Sequence, residues 1–149
     1  MTAYRTIVVG TDGSASSLVA VESAGRLAAA CTARLVIVCA YAPLPRQVVE
    51  RAQDVLGDEA YQVVGSAPAE STLQTAREHA VAAGAVDVEN VAVEGEPVAA
   101  LVRATRDHSA ELLVVGNRGL RSLAGRILGS VPSDVSRKAR VDVLIVHTT

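Results

Sequence analysis

Residues 116–130 form the segment of this chain whose residue types and spacing are best suited to chemistry. The segment contains three arginines and no acidic residue. Glycine allows a ligand to approach the backbone closely, and Gly129-Ser130 opens a predicted helix whose free N–H groups and dipole favour an anion. The segment therefore predicts a cradle for a phosphate group. Its four glycines are Gly116, Gly119, Gly125 and Gly129.

The same segment also has a purely structural interpretation, in which its glycines end a strand and cap a helix. It matches neither the G-x-x-x-x-G-K-[ST] loop nor the G-x-G-x-x-G dinucleotide motif. Glycine content alone does not separate the two interpretations. The position of the segment in the predicted sheet favours the phosphate site.

A second polar turn, residues 10–14 (GTDGS), follows the first predicted strand. Asp12 in this turn could form an Asx turn that caps the next helix. It could instead reach a ribose hydroxyl or a metal ion bound to a phosphate. Both interpretations of Asp12 stay open.

Apolar runs without polar alternation predict strands that are buried on both faces of a parallel sheet. A more polar run, residues 87–93, predicts an edge strand. The four apolar runs are residues 5–10, 34–41, 111–116 and 141–147.

Helical patterns separate these strands. They cover residues 14–31, a stretch between Pro68 and Gly84, the residues after Pro97, and residues 131–139. Residues 42–65 are predicted as a loop with a helical turn or two around 47–56. The first helix is expected to bury Leu18, Val21, Ala24 and Ala28. The helix after Pro97 is expected to bury Val98, Leu101, Val102 and Thr105.

This alternation predicts a Rossmann-like α/β fold: a five-stranded parallel sheet, order 3-2-1-4-5, with helices on both faces. Ligands bind such sheets beyond the carboxyl ends of the strands, where the strand order reverses. In this order the reversal lies between the first and fourth strands. The turn after Gly10 and the glycine-rich segment after Gly116 are therefore expected to face one crevice.

Composition limits the classes of partner. The net charge is −2, and the chain has three Tyr and no Phe or Trp, so neither a basic field nor stacking platforms favour nucleic acid. No apolar run is long enough to cross a membrane, and the first residues lack the pattern of a signal peptide. Cys31 and Cys39 are expected to be reduced and buried. We therefore expect one cytoplasmic domain over residues 1–149.

The spacing G-x2-G-x9-G-S at Gly116, Gly119, Gly129 and Ser130 resembles the nucleotide-binding signature of the universal stress protein family. Residues 7–14 (IVVGTDGS), 94–97 (EGEP) and 141–147 (VDVLIVH) are similar to that family too. The resemblance spans essentially the whole chain. It implies a Rossmann-like fold, commonly dimeric, with a role in stress response. The family includes ATP-binding members and members without the signature.

Carried over by position, the resemblance implies where a nucleotide would bind. It places Asp12 at the nucleotide and Ala40 beside adenine. The phosphate and ribose contacts fall on Gly116, Gly119, Gly129 and Ser130. The neighbouring positions that complete the implied site are Gly10, Thr11, Asn117, Arg118 and Val131.

Two departures from the commoner family pattern bear on which nucleotide is bound. Gly10 replaces a larger residue, and Pro132 replaces a serine, which removes a hydroxyl and an N–H near the phosphates. The sequence most resembles single-domain actinobacterial members, some of which prefer cyclic AMP. A single phosphate tied back to the ribose needs fewer donors than three phosphates. No cofactor is required on this interpretation, and Mg²⁺ is expected only if ATP is bound.

Three functions remain open. The leading one is an adenine-nucleotide-binding protein that acts as a nucleotide buffer or sensor. The second is a slow Mg-dependent ATPase; no general base is apparent near the glycines, so hydrolysis is expected to be absent or slow. His79, His108 and His147 are scattered and are expected to be surface or capping residues. The third is a protein-interaction module that binds no nucleotide.

A homodimer is expected through the fifth strand. Residues 143–146 (VLIV) are all apolar and belong to a predicted edge strand. Unpaired edges of this kind invite pairing with another chain. An antiparallel pair across a two-fold axis would satisfy the edge, and the resemblance implies the same mode of assembly.

Overall fold

The computed structural model describes residues 3–42, 67–118 and 131–148. The loop and helical turns predicted for residues 43–65 lie outside this part of the chain. So do three of the predicted ligand-binding residues, Gly119, Gly129 and Ser130.

Five parallel strands form one sheet in the order β3-β2-β1-β4-β5, as predicted. The polar strand β3 lies at one edge and β5 at the other. Central β1 is paired on both sides, with Ile7 opposite Leu35 of β2 and opposite Leu112 of β4. The strands are β1 (Thr6–Gly10), β2 (Arg34–Tyr41), β3 (Asp87–Glu94), β4 (Leu112–Gly116) and β5 (Asp142–Val146).

Helices occupy the predicted positions between the strands. They are α1 (Ala15–Cys31), α2 (Ala67–Ala82), α3 (Pro97–Asp107) and α4 (Val131–Lys138). Ser14 caps α1, because its hydroxyl oxygen accepts a hydrogen bond from the backbone N–H of Ser17 at 3.1 Å. Pro97 begins α3, where its missing N–H leaves no helical hydrogen bond unmade.

The sheet is covered on both faces, and alternate residues of each strand enter different cores. Ile7 and Val9 of β1 pack in one cluster with residues of α1 and α2. Val8 between them packs in a second cluster with residues of α3 and α4. Since side chains alternate across a strand, these two clusters explain why the central strands are apolar without interruption.

The buried face of α3 differs from the one predicted. Leu101 and Thr105 are buried, but Val98 and Val102 are only partly buried, and Ala100 and Ala104 face the interior instead. Small alanines allow the helix backbone to approach the sheet closely. Hydrophobicity alone therefore misplaced the centre of this face.

The buried face of α1 also extends beyond the prediction. Val21, Ala24 and Ala28 are buried as expected, whereas Leu18 is only partly buried. Gly25 is buried where α1 crosses α2: a Cβ atom on it would lie 2.8 Å from the carbonyl oxygen of Ala80. Backbone contact between the two helices, rather than side-chain size, determines this crossing.

Both cysteines are free and buried, as predicted. Burial raises the pKa of the Cys39 thiol to about 12, and the charge of Asp12 adds to this effect. None of the described helices is long and apolar enough to span a bilayer.

Candidate functional site

The carboxyl ends of β1 and β4 lie side by side. The two strands are paired, with Val9 opposite Val114, and each ends in glycine, at Gly10 and Gly116. The turn after β1 and the segment after β4 therefore start at the same edge of the sheet. This is the position at which the strand order predicts a ligand-binding crevice.

Gly116 favours close packing and does not adopt an unusual backbone conformation. It is not among the glycines with positive φ. A Cβ atom there would lie 3.3 Å from Cγ2 of Thr148 and 3.9 Å from the carbonyl oxygen of Ser16. Gly116 therefore needs no backbone conformation that only glycine adopts readily. Its small size instead lets the segment after β5 and the start of α1 approach β4.

Thr11 fixes the turn between β1 and α1 from a buried position, at 2% exposure. Its backbone N–H donates to the carbonyl oxygen of Val38 at 2.9 Å. Its Oγ1 accepts from the N–H of Gly13 at 3.1 Å and lies 2.9 Å from Oγ of Ser17. Because Ser17 uses its own proton on the carbonyl oxygen of Ser14, Thr11 donates to Ser17.

Asp12 forms an Asx turn, which is one of the two roles that the sequence allowed for it. Its Oδ1 accepts a hydrogen bond from the backbone N–H of Ser14 at 2.9 Å. The cap of α1 itself is Ser14. Asp12 also affects Cys39 of the adjacent strand β2 through its charge. The turn that carries Asp12 lies near the carboxyl end of β2, because the N–H of Thr11 donates to the carbonyl oxygen of Val38. Contact between Asp12 and a ligand remains a prediction.

Ala40 at the end of β2 and Val131 at the start of α4 both belong to the carboxyl edge of the sheet. Ala40 lies next to the last residue of β2, is 7% exposed, and pairs with Val93 of β3. Val131 begins α4 and packs in the same core cluster as Val38 and Val115. Both residues are buried, so a ligand could contact them only at the rim of the site.

Asn117 is held by the segment that follows β5. Its Oδ1 accepts from the backbone N–H of Thr148 at 2.9 Å and from Oγ1 of Thr148 at 2.7 Å. Oγ1 of Thr148 in turn lies 2.6 Å from Oγ of Ser16 in the first turn of α1. Arg118 follows Asn117 and is exposed.

Sequence reasoning did not place Thr148 or Ser16 at the site. The predicted strand order contained a signal for Thr148. Parallel neighbours put the residue after one strand beside the residue after the other, and Gly116 indeed pairs with Val146. The described part of the candidate site thus consists of the first residues after β1, the first residues after β4 and the segment after β5.

The histidines are surface or capping residues, as predicted, and His147 is exposed after β5. Nδ1 of His79 lies 2.8 Å from Oε1 of Glu22, between α2 and α1. Nδ1 of His108 lies 3.0 Å from the carbonyl oxygen of Ala104 at the end of α3. Among residues 3–42, 67–118 and 131–148, no three His, Cys, Asp or Glu side chains are grouped so that they could hold a metal ion.

A cavity of about 540 Å³ lies at the opposite ends of the strands from the candidate site. Ser109 and Arg140, which precede β4 and β5, contribute to its wall. It therefore lies at the amino ends of the strands and contains no residue of the predicted site. Ligands of open α/β sheets bind at the other edge.

The strand order and the two helical layers define a doubly wound α/β protein. Proteins of this class bind ligands at the carboxyl edge of the sheet, where β1 and β4 end side by side. The model of the universal stress protein family matches residues 3–147. The chain belongs to the universal stress protein family.

Individual relatives are similar over the full length. Universal stress protein Rv1636 of Mycobacterium tuberculosis is 54% identical over 149 residues, which is 100% of both chains. A universal stress protein solved in complex with cAMP is 47% identical, with a TM-score of 0.76 over 99% of this chain and 100% of that one. A universal stress protein from Archaeoglobus fulgidus is 25% identical, with a TM-score of 0.69 over 95% of this chain and 93% of that one.

Proposed function

We propose that this protein binds an adenine nucleotide, preferably cyclic AMP, and acts as a nucleotide buffer or sensor in the stress response. The observation that carries the proposal is its 47% identity, over nearly the whole chain, to a universal stress protein solved with cAMP. The adjacent ends of β1 and β4 supply a crevice at the edge where such a ligand would bind.

The proposed site combines the residues of three segments. Asp12 contacts the ribose, and the end of β2 at Ala40 lies beside adenine. The glycine-rich segment and the start of α4 hold the phosphate through backbone N–H groups and the helix dipole. The residues assigned to the phosphate side are Gly116, Asn117, Arg118, Gly119, Gly129, Ser130 and Val131, and those on the β1 side are Gly10, Thr11 and Asp12.

Pro132 supports cyclic AMP over ATP. It is the second residue of α4, where a helix normally offers a free N–H group to an anion. Proline has no N–H, so this helix start has one donor fewer. One phosphate ester can be held by the donors that remain, whereas a triphosphate needs more donors and would bring Mg²⁺ with it.

Calorimetric titration with cyclic AMP and with ATP, each with and without Mg²⁺, tests the proposal. We expect cyclic AMP to bind at least as tightly as ATP and without need of the metal. Gly129→Val places a side chain where the backbone is proposed to meet the phosphate. It should weaken binding at least about tenfold, or 1.4 kcal/mol.

Ala30→Val is the control for that variant, because Ala30 is exposed near the far end of α1. Its affinity should equal that of the wild type. A clear preference for ATP would overturn the choice of cyclic AMP, and unchanged affinity in Gly129→Val would remove the glycine-rich segment from the site. Binding of neither nucleotide would favour the interaction module.

We propose binding without turnover, with weak ATP hydrolysis at most. Phosphoryl transfer requires a positioned nucleophile in addition to charge stabilisation, and the sequence offers no general base near the glycines. The alternative, a slow Mg-dependent ATPase, predicts phosphate release that requires Mg²⁺ and stops with a chelator. Measurable turnover of that kind would replace the binding proposal.

We also propose a homodimer through β5. This strand is the edge of the sheet next to β4. Leu144 and Ile145 are 39% and 45% exposed, which is high for large apolar residues in a strand. An antiparallel pair of β5 strands would satisfy the open N–H and C=O groups and cover these side chains.

Leu144→Lys tests the dimer, since it would place two charges across the pairing. Sedimentation should give about twice the monomer mass for the wild type and the monomer mass for the variant. Val86→Lys is the matched control, because Val86 is 91% exposed and precedes β3 at the other edge of the sheet. A monomeric wild type at micromolar concentration would refute the dimer. A dimeric Leu144→Lys would move the interface away from β5.

The proposed location is the cytoplasm. Both cysteines are free, which is consistent with a reducing compartment. Separation of cell fractions followed by immunodetection would test the location. Recovery of the protein from the medium would contradict it.

A further inference from the structure

Three segments distant in sequence meet at Thr148. Its hydroxyl is 2.6 Å from Oγ of Ser16 in α1 and 2.7 Å from Oδ1 of Asn117 after β4. Its backbone N–H donates to the same Oδ1 at 2.9 Å. Its Cγ2 atom packs against Gly116 and would lie 3.3 Å from a Cβ atom there. The residue therefore contacts the first two positions of the segment proposed to bind phosphate.

The directions of these hydrogen bonds follow from the number of protons. Oδ1 of Asn117 is a carbonyl oxygen and can only accept, so Thr148 donates both its N–H and its hydroxyl proton to it. The hydroxyl of Thr148 then has only its lone pairs left, and Ser16 donates to it. Hydrogen bonds arranged head to tail in this way strengthen one another.

This arrangement determines which end of the Asn117 amide remains available. Thr148 occupies the oxygen, so the NH₂ group is the other end. No acceptor among the described residues takes a hydrogen bond from it, and Asn117 is exposed. An NH₂ group is a donor and suits an anion, whereas the amide oxygen would repel one. The backbone is fixed as well, since the N–H of Asn117 donates to the carbonyl oxygen of Val146 at 2.9 Å.

We propose that Thr148 is a positioning residue for phosphate binding, which holds the Asn117 amide with its NH₂ donors presented to the phosphate of the nucleotide. Ser16 supports Thr148 from α1. The proposal rests on the proposed adenine-nucleotide function. It adds a residue from the end of the chain that the family resemblance does not assign to the site.

Two substitutions at position 148 separate the hydroxyl from the shape of the side chain. Thr148→Val keeps the branched shape and the backbone N–H but loses the hydroxyl. Thr148→Ser keeps the hydroxyl and loses the methyl group. We expect Thr148→Val to weaken cyclic AMP binding by about threefold to tenfold, in line with the loss of hydrogen bonds. Thr148→Ser should bind within about twofold of the wild type on the same reasoning.

Thr75→Val is the matched control. Thr75 is exposed on α2, and among the described residues its hydroxyl donates to the carbonyl oxygen of Ser71 in the same helix, at 3.5 Å. The same chemical change there should leave cyclic AMP affinity unaltered. A loss equal to that of Thr148→Val would mean that the assay reports general destabilisation.

Adenosine has the base and ribose of cyclic AMP but no phosphate. Its affinity therefore separates an effect on the Asn117 NH₂ group, which faces the phosphate, from a general structural effect. Thr148→Val should bind adenosine as the wild type does while binding cyclic AMP more weakly. The side-chain NH₂ resonances of Asn117 should shift on addition of cyclic AMP in the wild type and in Thr148→Ser, and much less in Thr148→Val.

Equal losses for adenosine and cyclic AMP, or no loss for either, would overturn the positioning role while leaving the proposed function intact. If the wild type binds neither cyclic AMP nor ATP, the proposed function fails first, and the role of Thr148 fails with it. The titration of the wild type therefore distinguishes the two failures.

Discussion

Replacing Thr11 by valine tests how the turn between β1 and α1 is held. Valine has the same branched shape, so the change removes the hydroxyl without opening a cavity. Thr11 is 2% exposed, and its Oγ1 both accepts from the N–H of Gly13 and donates to Oγ of Ser17. Thr11→Val therefore deletes two hydrogen bonds that fix the polar turn at the crevice.

The size of the effect depends on whether the N–H of Gly13 and Oγ of Ser17 find other hydrogen-bond partners. A buried polar group left without a partner costs about 1–3 kcal/mol. Ser17 still donates to the carbonyl oxygen of Ser14 at 3.0 Å, and Gly13 is exposed, so its N–H can reach water. The free energy of unfolding should therefore fall by about 1–2 kcal/mol, in the lower part of that range.

Thr105→Val is the matched control, because Thr105 is also buried, at 4% exposure. Its hydroxyl donates to the carbonyl oxygen of Val102 in the same helix at 2.7 Å. That carbonyl lies inside α3, where the helix itself supplies a donor, so it is not left without a partner. We expect a change within about 0.5 kcal/mol.

Urea unfolding of the wild type and both variants measures the difference. The transition midpoint of Thr11→Val should fall at an unchanged slope, and that of Thr105→Val should stay near the wild type. Cyclic AMP affinity should fall only in Thr11→Val, because only that turn borders the crevice. We attribute the stability of the turn between β1 and α1 to hydrogen bonds across it. Equal destabilisation by the two variants would refute this and would point to an effect of replacing any buried threonine.

Three further predictions concern packing, backbone conformation and pH. Gly25→Ala should destabilise by about 1–2 kcal/mol, because overpacking against the backbone of Ala80 outweighs the gain in helix propensity; Ala30→Gly at an exposed site of the same helix measures that propensity alone. Thr32→Gly should raise stability by about 0.5–1 kcal/mol in thermal unfolding, since a β-branched residue with φ 52° is strained. Burial raises the pKa of Cys39 to about 12, so above pH 9.0 the unfolded thiol loses its proton while the folded one keeps it; the contribution of Cys39 to the free energy of unfolding is fully present below pH 9.0 and should fall by about 1.4 kcal/mol per pH unit up to about 12. Urea unfolding across that range should show a shallower fall for Cys39→Ala, and identical slopes would contradict the attribution.

The sequence by itself determined the elements and their order. Uninterrupted apolar runs predicted strands buried on both faces, and the polar run from residue 87 correctly predicted an edge. Pro97 predicted the start of α3, because a fixed φ and a missing N–H are properties of a single residue. The helical pattern predicted the start of α1 at residue 14, and Ser14 is the residue that caps this helix. From the strand order followed the crevice where the chains leaving Gly10 and Gly116 begin.

The phosphate side of the candidate site remains a prediction of the sequence pattern. Gly119, Gly129 and Ser130 lie outside the described residues, and their assignment depends on the family signature. The described residues include those that surround the start of this segment. They show how its first two positions, Gly116 and Asn117, are held by neighbours that are remote in sequence.

Only the tertiary structure decided which atoms of distant segments meet. Ser16 and Thr148 are 132 residues apart, and nothing local indicates that their hydroxyls bond. Gly25 looked unremarkable in a helical pattern, yet its missing Cβ sets the distance between α1 and α2. Periodicity fixes which side of an element faces inward to within a residue or two. The contact atoms depend on how closely whole elements approach, and that distance is set by all of their side chains together.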